Sequence, residues 1–360
     1  MEYTRLGDSG LHVSRLALGT IPFGATAEFA KIAGLGLDEA RRQVDEVLDR
    51  GINFFDTADL YNHGESEQIL GRALGDRRDD VVIASKAGFP TGDGPNDIGA
   101  GRQHLTRAVE DSLRRLGTDR LDLLYMHQWD GQTPILETIR TADDLIRAGK
   151  IRYWGVSNYN GWQLAKTVYE ARAAGLEAPV AHQAYYSPEA RELEYEIIPA
   201  ARDLGVATFA WGPLGEGLLN GRVRRGVPTP SDTRQGVGWP EPHVTDWDRA
   251  YELIELLTEI AGELNWTVPQ VVISWIQGRP GIDGTVIAAR RFEHLIDDLD
   301  AARMVLPQQA RDRITEASQL PGYYPLWHRL MNGQDRPEPA EAEFYAEHRR
   351  QVLGEDHGRP

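Results

Sequence analysis

Short apolar runs alternate with amphipathic stretches along most of the chain, the pattern of a parallel sheet whose strands are joined by crossover helices. Eight runs read as strands: Leu16–Gly19, Asn53–Asp56, Val81–Lys86, Leu121–His127, Ile151–Ser157, Val180–Tyr185, Ala207–Trp211 and Gly284–Ala288. Between them apolar residues recur at helical spacing over Asp38–Asp49, Glu65–Leu74, Leu105–Leu116, Pro134–Ala148, Trp162–Ala174 and Leu193–Leu204. Gly51, Gly75, Gly117, Gly149, Gly175 and Gly205 each follow such a stretch, where a left-handed glycine ends a helix. Eight such units without a domain break predict an α/β protein built as one (β/α)8 TIM barrel over residues 1–330. An open doubly wound sheet would more often carry a glycine-rich fingerprint after its first strand, and Gly19-Thr20-Ile21-Pro22-Phe23-Gly24 does not fit one.

Four segments are too long for ordinary connections: Ile21–Leu37, Gly88–His104, Gly212–Asp246 and the stretch after Leu320. Loops of this length in a barrel are usually lids or disordered, and the charged tail 331–360 is expected to be partly mobile. Composition then narrows the classes. The absence of cysteine excludes disulfides, thiolate nucleophiles and Cys-ligated metals. A net charge of −16 is the wrong sign for a nucleic-acid partner. Neither a signal segment nor an apolar run approaching the roughly 18 residues of a membrane span is visible, so a cytoplasmic location is expected. The acidic charge is compatible with a monomer or a closed oligomer.

In a barrel of this kind the active site lies at the C-terminal ends of the strands. Polar groups of complementary type collect there. The second strand ends in Asp56, with Tyr61 just beyond; the third ends in Lys86, the fourth in His127 and the fifth in Ser157-Asn158. A phenol titrates at about 10 and is a weak acid at neutral pH. An adjacent ammonium stabilises its anion, so Lys86 is expected to lower the Tyr61 pKa while Asp56 holds Lys86 charged. His127 would hydrogen-bond a carbonyl oxygen and share its developing charge. No redox side chain is present, so electrons would come from a cofactor. The histidines lack convergent spacing for a metal.

These strings resemble the aldo-keto reductase superfamily, and Asp130-Gly131-Gln132-Thr133-Pro134 and Gly161-Trp162-Gln163-Leu164 resemble its bacterial-type branch. Gly51-Ile52-Asn53-Phe54-Phe55-Asp56-Thr57-Ala58-Asp59-Leu60-Tyr61 is similar to that family's Asp/Tyr motif, continued by Gly64-Glu65-Ser66-Glu67. Lys86 in Ile83-Ala84-Ser85-Lys86 and His127 in Leu124-Tyr125-Met126-His127 match its Lys and His. The resemblance covers about Tyr3 to Trp327 and implies an N-terminal β-hairpin, Tyr3–Ser14, closing the barrel bottom. It implies a nicotinamide cofactor lying across the top rim, near Gly19, Thr20 and Asp56. Ser157, Asn158 and Gln183 match residues that hold the carboxamide, and Trp211 matches the aromatic that stacks on the nicotinamide ring. The loop Gly212-Pro213-Leu214-Gly215-Glu216-Gly217, continued to Arg222, resembles the segment that covers the pyrophosphate.

Ala288 to Asp298 falls where the family binds the adenosine phosphate. Arg290, Arg291 and Arg234 suit a 2′-phosphate, which favours NADP(H), with NAD(H) the alternative. The pattern departs from the family here: Ile287-Ala288 replaces a Pro-Gly pair, and His294, Asp297 and Asp298 replace the usual Gln and Glu-Asn. The two aspartates could still accept from an adenine amino group, although their charge works against a phosphate.

Substrate choice is expected to rest on the long loops, on Trp129 beside His127 and on Tyr323-Tyr324-Pro325-Leu326-Trp327. The expected activity is reduction of an aldehyde or ketone, including sugar-derived carbonyls, with Tyr61 as proton donor. Two alternatives stay open: a sugar or alcohol dehydrogenase working mainly toward oxidation, and a non-catalytic subunit that senses a bound nicotinamide.

Overall fold

A computed structural model describes residues 1–26, 29–332 and 336–353. The chain opens with an antiparallel hairpin, β1 (Tyr3–Arg5) and β2 (His12–Ser14). The barrel follows: β3 (Leu16–Gly19), α1 (Leu37–Asp49), β4 (Phe54–Asp56), α2 (Glu65–Leu74), β5 (Val82–Ala87), α3 (Arg102–Leu116), β6 (Leu121–Met126) and α4 (Ile135–Arg147). It continues through β7 (Ile151–Ser157), α5 (Gly161–Ala173), β8 (Ala181–Tyr185), α6 (Ile197–Asp203), β9 (Ala207–Trp211), α7 (Trp247–Leu264), α8 (Val268–Gln277) and β10 (Gly284–Ile287). The last elements are α9 (Phe292–Asp300), α10 (Gln308–Ala317), α11 (Leu326–Asn332) and α12 (Ala342–Leu353).

All eight strands from β3 to β10 pair in parallel, and β10 closes the ring onto β3 through Val286↔Ala17 and its neighbours. The expected TIM barrel is what forms. Phe54, Leu123, Tyr125, Ala181 and Phe209 fill the barrel interior, and Leu6 and Val13 of the hairpin belong to the same cluster. The hairpin therefore plugs the N-terminal end, as the amide of Asp8 bonding to the Gly205 carbonyl at 2.8 Å also shows. Gly7 is required at that seam: it has φ +57°, and a Cβ there would lie 2.4 Å from the Val180 carbonyl oxygen.

One reading changes. The helix expected over Leu193–Leu204 is broken into a short 3-10 turn, Glu192–Glu194, and α6. Pro199 explains this: it lacks an N–H and is tolerated in the first turn of a helix but not in its interior. Between β9 and β10 the chain inserts both α7 and α8, with Asp246 and Thr267 as N-caps accepting from the amides of Arg249 and Gln270. Of the tail 331–360, residues 336–353 include α12, which docks on the barrel. Its Glu347 accepts from Arg191 and Arg279, both buried and both also bonded to Glu194, and its Phe344 is buried. No helix among the described residues is long and apolar enough to cross a membrane.

Candidate active site

Parallel pairing sets neighbouring strand ends side by side. Gly19 stands in register with Asp56, and Ser157 with Gln183. Closure of the ring then converges these ends on one cavity of about 690 Å³, within the usual size of a small-molecule site. Its lining includes Asp56, Tyr61, His127, Ser157, Asn158, Gln183 and Trp211 at one end and Arg290, Arg291, His294 and Asp298 at the other.

Tyr61 is held by an unusual turn. Asn62 (φ +49°), His63 (φ +53°) and Gly64 (φ +84°) are all left-handed in succession, reversing the chain between β4 and α2. The Asn62 side chain stabilises this turn by donating to the carbonyls of Ile21 and Phe23 at 3.0 and 2.9 Å and by accepting from the Thr26 amide at 3.2 Å. The phenol oxygen accepts from Lys86 Nζ at 3.2 Å. Lys86 is only 1% exposed and donates to Asp56 Oδ2 at 2.5 Å and to the Thr57 carbonyl at 3.0 Å, so its three protons are all placed. The other carboxylate oxygen of Asp56 accepts from Gln183 Nε2 at 2.7 Å.

Burial works against the charge on Lys86, but Asp56 and Tyr61 outweigh it and hold the pKa above the ordinary lysine value. Tyr61 differs from expectation. Its burial outweighs the pull of Lys86, and with Asp56 adding repulsion the phenol is raised rather than lowered. His127 is pushed well below the ordinary histidine range by burial and by the Lys86 charge, so its ring is neutral at pH 7. Its Nδ1 is buried without a partner, and its ring lies against Phe89 (centroids 4.4 Å) and edge-on to Tyr61 (6.1 Å). A neutral phenol and a neutral imidazole thus face the cavity, backed by a buried ammonium.

Asn158 (φ +58°) ties three strand ends together. It donates to the His127 carbonyl at 3.0 Å and accepts from Trp211 Nε1 at 3.0 Å, while its own amide donates to the Gln183 carbonyl. The Trp211 ring rests on Tyr185 with centroids 4.8 Å apart. Gly212, Pro213, Leu214, Glu216 and Gly217 line the cavity next, and Gly215 does not. The left-handed Glu216 pairs with Arg234, whose pKa is pushed down to about 10, first by burial and then by Arg290.

At the far end Asp232 organises the arginines. It pairs with Arg222 at 2.6 Å and Arg291 at 3.3 Å, and its carbonyl accepts from Arg290, which also donates to the Lys31 carbonyl. Asp297 is engaged by Thr267 Oγ1 and Gln270 Nε2, at 2.6 and 2.7 Å, next to the start of α8. Asp298 is buried, and desolvation together with Asp297 raises its pKa well above the ordinary carboxylate range. Gly19, Ala288 and His294 line the cavity.

Some expected positions lie elsewhere. Thr20 is fully buried, its hydroxyl spent on the Asp56 carbonyl and Ser66, so it supports β4 and α2 and does not line the cavity. Trp129 packs on Tyr159 and Trp162 and is likewise outside the lining. Tyr323 packs on Tyr195, also away from it. The cavity wall instead takes Phe29, Leu60, Phe89, Trp239 and Glu241. Only Leu60 sits in a motif. Their only signal was membership of a long loop or of the Asp56–Tyr61 string.

The eight-stranded barrel and its rim of Asp, Tyr, Lys and His define an oxidoreductase-type site. Comparison with known proteins gives the class its name: the aldo/keto reductase family model matches residues 15–319, and the chain belongs to that family. It is similar to the uncharacterized oxidoreductase YrpG of Bacillus subtilis, 35% identical over 89% of this chain and 97% of that protein. It is also similar to a probable voltage-gated potassium channel subunit beta of Arabidopsis thaliana, 34% identical over 85% of this chain and 92% of that one. A third relative is the versiconal hemiacetal acetate reductase of Aspergillus parasiticus, 33% identical over 78% of this chain and 86% of that enzyme.

Proposed function

We propose that the chain reduces an aldehyde or ketone to an alcohol with NADP(H), and that Tyr61 donates the proton. The observation that carries the reading is the chain of contacts from Gln183 through Asp56 and Lys86 to the Tyr61 oxygen at one end of an elongated cavity. A nicotinamide cofactor fits the lining: Ser157, Asn158 and Gln183 offer amide-matching groups, Trp211 a flat wall, and four arginines the far end. Bound there, it would supply the hydride.

The protein's own groups supply the rest. A carbonyl oxygen reaching Tyr61 and His127 would be oriented by both. As negative charge develops on that oxygen, the phenol proton moves to it, and the phenolate left behind is stabilised by Lys86. Asp56 keeps Lys86 charged without itself touching the substrate. The raised pKa of Tyr61 keeps it protonated at rest, which suits a donor. The same groups run the reverse direction, so an alcohol or sugar alcohol is the matching substrate for oxidation.

Arg222 and Arg291 are satisfied by Asp232, yet these pairs are largely exposed, at 41%, 61% and 44% for Arg222, Arg291 and Asp232. Exposed pairs contribute about 0–1 kcal/mol, so a phosphate can take the carboxylate's place. This favours NADP(H) over NAD(H). The test is NADPH binding by fluorescence titration together with NADPH oxidation over an aldehyde, ketone and sugar panel. Binding and turnover are expected. Binding with no turnover on any member favours a sensing subunit, and no binding ends both readings.

A further inference from the structure

The segment from Gly212 to Asp246 crosses the cavity, and one of its residues has no part in the scheme above. Glu241 lies in Trp239-Pro240-Glu241-Pro242, where two prolines stiffen the backbone around it. It lines the same cavity as Tyr61 and His127, and its charge is felt at Tyr61, at Tyr185 and at Arg234. Among the described residues its carboxylate is in neither an ion pair nor a hydrogen bond, and Arg234, the cation it feels, is already paired with Glu216. Glu241 is solvent-exposed, and the cavity it lines also carries the apolar side chains of Ile21, Pro22, Phe29, Leu60, Phe89 and Trp239.

We infer that Glu241 is a substrate-selecting residue, which makes this cavity favour carbonyl compounds carrying a cationic group and reject those carrying a carboxylate or phosphate. This rests on the reading of the cavity as a reductase site. A carboxylate with no ion pair or hydrogen bond of its own adds a negative potential to the cavity it lines, and solvent at its exposed side reduces that potential without removing it. Asp56, the carboxylate of the proposed catalytic group, is offset by its ion pair with Lys86. Arg234 and Glu216 cancel each other on the cofactor side. A unit charge on a substrate within about 8 Å of Glu241, in a partly solvated cleft, would feel an effect of about three- to tenfold in binding. The selection would be expressed mainly in KM, since Glu241 does not reach the reacting atoms.

The experiment uses three para-substituted benzaldehydes of similar shape, carrying trimethylammonium, nitro and carboxylate groups, with wild type, Glu241→Gln and Glu241→Lys. Because ring substituents alter intrinsic reactivity, the quantity compared is the variant-to-wild-type ratio of kcat/KM for each aldehyde. The ratio for Glu241→Gln is expected to be about tenfold higher for the carboxylate than for the trimethylammonium compound, with Glu241→Lys widening the gap and salt narrowing it. Equal ratios for the two charged aldehydes would overturn the inference. If wild type reduces not even the nitro compound, the reductase reading fails by itself. Calorimetric binding of benzoate and benzyltrimethylammonium then decides the charge selection, which is overturned if Glu241→Gln changes neither affinity.

Discussion

Removing the Lys86 ammonium by Lys86→Met tests how the site is held together. Lys86 and Asp56 are 1% and 3% exposed at their side chains and stand 2.5 Å apart. Without the ammonium, Asp56 remains buried with a single side-chain donor, Gln183 Nε2 at 2.7 Å. Breaking a buried pair from one side costs about 3–5 kcal/mol, mostly the uncompensated charge, whereas replacing both members is much milder. Lys86→Met is therefore expected to lose about 3–5 kcal/mol in urea unfolding followed by tryptophan fluorescence. Asp56→Asn combined with Lys86→Met should lose less than the sum of the singles by about 2 kcal/mol or more, because neither buried charge is then left alone. Additive losses, or a Lys86→Met loss below about 1 kcal/mol, would refute the picture of a buried, mutually dependent pair.

Two further outcomes follow from groups nearby. Asp59 is buried without a side-chain partner, and its pKa is pushed up to about 8, chiefly by burial and then by Glu67, with Arg115, the Leu60 backbone amide and Lys86 pulling the other way. Between its ordinary value and about pH 8 the folded state holds a proton that the unfolded state has lost, so stability falls as pH rises through this window. Asp59→Asn removes that dependence, and its thermal-unfolding advantage over wild type should grow from pH 4 to 8, by at most about 1.4 kcal/mol per unit, and then level off. A constant difference across that range would show that Asp59 does not titrate this way. Asp232→Ala frees Arg222 and Arg291 and should tighten NADPH several-fold with less effect on NADH, measured by fluorescence titration; weaker NADPH binding would mean that Asp232 assists the cofactor rather than competing with it.

The barrel was legible because its signal is periodic and local. Each β/α unit carried its own alternation of apolar and amphipathic stretches, and Gly51, Gly75, Gly117, Gly149, Gly175 and Gly205 all have the positive φ that a glycine supplies at a helix end. The candidate site was legible for another reason: Asp56, Lys86 and His127 sit at or next to strand ends, and barrel closure alone brings strand ends together. What could not be read was anything that depends on how long loops fold back. The place of Glu241 in the same cavity as Tyr61, the pairing of Asp232 with Arg222 and Arg291, and the withdrawal of Trp129 into a cluster with Tyr159 and Trp162 all depend on loop packing without sequence period. The direction of the Tyr61 shift belongs to the same group. Sequence placed the ammonium beside the phenol, but only the structure shows that burial outweighs it.

The role of Tyr61 is tested most directly by Tyr61→Phe, which removes one oxygen and leaves the ring to pack on His127. With NADPH saturating, as shown by titration of the same variant, turnover of an aldehyde that wild type reduces should fall by about 10²–10⁴, the usual contribution of a positioned proton donor. Turnover within tenfold of wild type would contradict the assignment of Tyr61 as the proton donor.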